Sequence, residues 1–95
     1  MQQLIGQVTT VNPQRLAKRL AKHWAHKFPV TEDEQQISIE LTDFGRCVMG
    51  YQANGLQLQL SASAEQLAQL KQVVVDHLLR MASKETLAFS WQTTE

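Results

Sequence analysis

Residues 37–60, ISIELTDFGRCVMGYQANGLQLQL, decide the fold. Ile37, Ile39 and Leu41 alternate with Ser38 and Glu40, the pattern of a strand buried on one side. Asp43-Phe44-Gly45 turns the chain, and Cys47, Met49 and Tyr51 line one face of the next strand. Asn54-Gly55 is a hairpin-turn signal. Leu56, Leu58 and Leu60 then alternate with Gln57 and Gln59. Three strands joined by such short links form an antiparallel meander.

Outward from the meander, Leu4 to Val11 reads as a first strand. Asn12-Pro13 predicts a helix start, with Asn12 as cap and proline in the first turn. Leu16, Leu20 and Trp24 recur every four residues as the apolar stripe of helix one, and Pro29 stops it. Thr31 to Gln36 reads as an acidic loop. Ser63 with Gln66 three residues later is a capping box that opens helix two. That helix carries Leu67, Leu70, Val74, Leu78 and Met81 on one face. Leu87, Phe89 and Trp91 alternate as a last strand. The expected fold is α+β and two-layered: a mainly antiparallel five-stranded sheet with two helices on one face, in the order β-α-β-β-β-α-β. The other face collects Ser38, Gln57, Gln59, Ser90 and Gln92, polar but nearly uncharged.

The 95 residues make one domain, 1–95. Nine Lys and Arg balance nine Asp and Glu, and zero net charge argues against a general nucleic-acid binder. The balance hides an asymmetry. Residues 1–31 carry Arg15, Lys18, Arg19, Lys22 and Lys27 and no acid, whereas residues 32–95 carry four bases and nine acids. Cys47 is the sole cysteine, so no intrachain disulfide forms. The N-terminus shows no signal peptide, and no run approaches ~18 apolar residues, so a cytoplasmic domain is expected, with no membrane contact.

The residues able to carry chemistry are few. His23 and His26 lie in Lys22-His23-Trp24-Ala25-His26-Lys27-Phe28-Pro29, where residues three apart share one side of a helix. Neutral imidazole is a common ligand for a metal or haem iron. Near a helix C-terminus, the same histidines and lysines also serve to bond free carbonyls and complement the dipole. His77 borders the apolar face of helix two and meets His23 if the helices pack side by side. A His23–His77–Cys47 cluster is then a possible metal site. The plainer reading is a half-buried His77 bonded to a backbone carbonyl, Asp43 or Glu40. Cys47 on an inner face behaves as a small hydrophobe, and as a nucleophile it would need exposure and a base. Arg15, Lys18, Arg19, Lys22 and His26 make a basic helix face without an interleaved acid. Plain solvation is the usual reading of such a face, but the missing acids make an anionic small molecule or an acidic protein partner the sharper expectation. No phosphate loop appears, no carboxylates sit together except Glu32-Asp33-Glu34, which reads as a loop, and no motif names a cofactor.

KHWAHKFPV at 22–30, the turn FGRC at 44–47, and HLLRMASKETLAFSW at 77–91 carry a family resemblance. The chain resembles a small bacterial domain of unknown function that occurs alone or fused to siderophore-interacting flavoproteins. That family shows a more aromatic, arginine-bearing segment where Met81, Ser83 and Lys84 stand here. The resemblance implies an iron-uptake context and no catalytic residues. The leading expectation is a non-enzymatic binding domain of iron–siderophore handling, with a pocket near His23, Trp24, His77 and Cys47. One alternative is a small metal- or haem-binding redox domain using His23, His26, His77 and Cys47. Another is a structural homodimer through the polar sheet face.

Overall fold

A computed structural model describes residues 2–42, 44–82 and 85–94. Eight elements follow in the order β1 Gln2–Thr9, α1 Pro13–Trp24, β2 Val30–Glu32, β3 Gln36–Glu40, β4 Arg46–Gln52, β5 Gly55–Ala62, α2 Leu67–Ala82 and β6 Ala88–Thr94. The strands form one sheet in the spatial order β2-β3-β4-β5-β1-β6, with every neighbouring pair antiparallel. Both helices pack on one face, α1 over β3, β4 and β5, α2 over β5 and β1, and each against the other. The two-layer α+β expectation therefore holds, but the sheet has six strands and not five.

The extra strand is β2, within the stretch expected to be an acidic loop. Asp33 is the only one of its three acids that shapes the turn. Its carboxylate Oδ1 accepts the backbone N–H groups of Gln35 at 2.7 Å and Gln36 at 3.0 Å. An Asp side chain that bonds the backbone two residues on mimics a turn and closes a hairpin. Val30 to Glu32 then pair with Ile39 to Ile37.

The core lies between the sheet and the helices. Leu4, Val8, Ile37, Ile39, Cys47, Met49, Leu58 and Leu60 supply the sheet side, and Leu16, Leu20, Trp24, Leu70, Val74 and Leu78 supply the helices; all are buried. Leu67 and Met81 flank α2's buried stripe half-covered. Trp91 is half-buried, stacked on Phe89 with ring centres 6.1 Å apart and capped by the Lys71 ammonium. The opposite sheet face carries the expected Ser38, Gln57, Gln59, Ser90 and Gln92. Its register sets Val48 beside Gln59, and Gln59 beside Ile5. Arg46 and Glu40 form an ion pair on that face.

Local signals are met with shifts. Asn12 is the N-cap of α1 by position, but its side chain makes no capping bond. The acid near that helix start comes from far along the chain. Glu85 accepts the Thr10 hydroxyl and the Val11 N–H, each at 2.8 Å. Helix α1 ends at Trp24, five residues before Pro29, and the N–H groups of Lys27 and Phe28 both return to the Trp24 carbonyl. His26 therefore follows the helix. Helix α2 begins only at Leu67, after a turn closed by backbone bonds to the Ser63 carbonyl.

The β4–β5 hairpin turns at Ala53-Asn54, one residue earlier than the Asn-Gly signal suggests, because Gln52 pairs with Gly55. Gly55 is needed for a close approach: a Cβ there would stand 1.8 Å from the Val8 carbonyl oxygen. Gly45, at φ +125°, closes the β3–β4 turn in a region that L side chains rarely adopt. Among the described residues, no helix is long and apolar enough to cross a membrane.

Candidate functional site

The apolar stripe of α1 places Trp24 at the helix end, 5 % exposed, with its ring nearly perpendicular to that of Phe28 at a ring-centre distance of 6.4 Å. His23 precedes it on the stripe's border and is exposed. Helix α2 brings His77 across, half-buried, with its ring centre 4.9 Å from Trp24 and 5.4 Å from His23. His77 Nδ1 lies 2.8 Å from the Val73 carbonyl oxygen, which is the backbone-carbonyl option. A carbonyl only accepts, so Nδ1 carries the hydrogen and Nε2 of the neutral ring keeps its lone pair. Asp43 itself, with Ser83 and Lys84, lies outside the described residues.

These side chains border a cavity of about 420 Å³. Leu41, Phe44, Leu70 and Val73 complete its apolar wall with Trp24 and Phe28, and His23, His26, Lys27 and His77 supply its nitrogen groups. It opens between the end of α1, the middle of α2 and the β3–β4 turn. His26, although past the helix, still reaches it.

Cys47 does not belong to this site. It lies in the core on β4, fully buried, and does not line the cavity. Burial pushes its thiol up from 9.0 to about 12, so it is protonated and unsuited to nucleophilic attack or ligation near neutral pH. The His23–His77–Cys47 cluster therefore does not form. Among the described residues, no three His, Cys, Asp or Glu side chains gather closely enough to hold a metal ion.

The basic face of α1 carries Arg15, Lys18, Arg19 and Lys22, all exposed. Lys18 pairs with Glu32 of β2 at 3.7 Å, a contribution from the acidic segment. Among the described residues, the other three have no ion-pair partner. Arg15 and Arg19 instead border a second cavity of about 390 Å³, which Glu85 also lines. Phe28, Phe44 and Glu85 escaped the sequence reading. The signal for the two phenylalanines was a large apolar side chain in otherwise polar connecting segments; Glu85 carried none.

The fold and pocket define a small α+β domain with two helices laid on one antiparallel sheet. The chain belongs to the family described as "Uncharacterized protein conserved in bacteria (DUF2218)", which matches residues 6–92. It is also similar to a protein described by "NMR structure of PA4090 from Pseudomonas aeruginosa", at 34% identity and a TM-score of 0.78, over 97% of this chain and 96% of that one. No curated protein matches the chain.

Proposed function

We propose that the chain is a small non-enzymatic binding domain whose pocket takes an anionic molecule with a flat, apolar body. The carrying observation is the cavity of about 420 Å³ walled by Trp24, Phe28 and Phe44, with His23, His26 and Lys27 among its lining groups. Small-molecule sites span roughly 300–1,000 Å³ and combine apolar walls with a few polar groups that fix orientation. Aromatic faces suit a planar ligand, and Lys27 suits its charge. The unpaired cations of α1 raise the local concentration of anions, or orient an acidic partner. The family resemblance adds an aromatic ferric siderophore as the candidate ligand, and with it the iron-uptake context.

The test uses 8-anilinonaphthalene-1-sulfonate and a ferric tris-catecholate, titrated by fluorescence. Both should bind saturably. Val73→Trp fills the cavity and should abolish binding, while Lys27→Glu keeps the fold and should weaken it. The double variant Lys18→Glu with Lys22→Glu should lose the part of binding that salt also removes, since exposed charges are screened beyond about 10 Å at 0.1 M salt. Unchanged binding in folded Val73→Trp and in Lys27→Glu refutes the pocket.

A further inference from the structure

Two imidazoles from different helices meet beside the pocket, and their spacing is specific. Metal–nitrogen bonds of about 2.0–2.1 Å put the ring centres of two histidines on one ion about 5.2 Å apart at a tetrahedral angle, and about 6.4 Å apart when opposed. The rings of His23 and His77 stand 5.4 Å apart with their planes at 49°. That separation fits two adjacent positions on one small ion. It is too short for the two opposed axial ligands of a haem, whose plane must lie between them.

The surroundings support the same reading. The Nδ1 contact of His77 with the Val73 carbonyl oxygen, at 2.8 Å, leaves Nε2 as its ligating atom. Histidines that hold metals commonly donate their other ring N–H to a backbone carbonyl in this way. The Trp24 ring, 4.9 Å away, packs against the His77 imidazole. His23 has no hydrogen-bond partner among the described residues, so both its nitrogens are available.

We propose that His23 and His77 form a two-histidine seat for a divalent first-row metal ion, with its other positions filled by water or by oxygen atoms of the anion in the pocket. Imidazole suits zinc, copper and nickel. Two protein ligands leave positions open, as in sites that bind something further and unlike closed structural sites. The seat rests on the pocket reading only for that last ligand, so it is tested with the metal alone.

Untagged full-length protein is titrated calorimetrically with ZnCl2 and with NiCl2 in chelator-treated buffer. One ion should bind per chain and raise the melting temperature. His23→Ala and His77→Ala should each weaken binding at least about tenfold and remove the thermal shift. His26→Ala and Cys47→Ala should leave both intact. The seat is overturned if neither ion binds the parent, if either single variant binds as tightly as the parent, or if His26→Ala loses as much. Loss of the metal with retention of the naphthalenesulfonate removes the seat and keeps the pocket, and the opposite result does the reverse.

Discussion

Raising the pH from 7.5 to 10.5 should destabilise this protein through Cys47, and the size of the effect follows from its burial. The thiol is wholly enclosed between β4 and the helices, which pushes it from 9.0 to about 12. Near neutral pH it is protonated in both native and unfolded chains and contributes no pH dependence. Above 9 the unfolded thiol loses its proton while the native one keeps it. Unfolding then releases a proton, and stability falls with each pH unit until about 12. At pH 10.5 the unfolded thiol is one and a half units past its midpoint, which corresponds to about 2 kcal/mol. Urea midpoints at both pH values, for the parent and for Cys47→Ala, isolate this share. Every other titratable group is common to both proteins, and the packing cost of the substitution is the same at both pH values. The parent should lose about 2 kcal/mol more than the variant. Equal losses would show that the thiol is not enclosed, and would restore Cys47 as a candidate site residue.

Three further outcomes are expected. Gly55→Ala places a methyl against the Val8 carbonyl and should cost about 3 kcal/mol or more in chemical denaturation, as overpacking against backbone does. Glu85→Ala strands the buried Thr10 hydroxyl and should cost about 1–3 kcal/mol by the same assay. The Tyr51 hydroxyl is sealed from solvent without a partner among the described residues, and burial, then the carboxylates of Glu32 and Asp33, raise its pKa. Tyr51→Phe should therefore leave the melting temperature unchanged or higher, because the variant removes a polar group that nothing satisfies.

What was legible in the sequence followed from periodicity. The strands at Ile37, Cys47 and Leu56 and the stripes of both helices each bury one face, and that alternation is written residue by residue. Strand β2 is three residues long, and only Val30 among them turns toward the core; pairing with β3 holds it, and no pattern of its own announces it. Strand order was equally hidden, because β1 pairs with segments more than forty residues away. At the site, His23 and His77 were foreseeable neighbours, since each borders a stripe that must cover the same sheet. Cys47 shares that sheet face, yet the packed helices close over it and separate it from the cavity. Phe28 and Phe44 stand in connecting segments, where period carries no information about direction.

The place of β1 between β5 and β6 bears on how the chain is made. Strand β1 is synthesised before both its neighbours, and its outer edge stays open until residues 88–94 have been made. The local hairpins of β2 to β5 can assemble early, but the sheet cannot close around Leu4 and Val8 until then. Pairings this distant in sequence slow folding, and unpaired edges invite association with other chains. A nascent chain stalled before β6 should therefore be the form of this protein most in need of a chaperone.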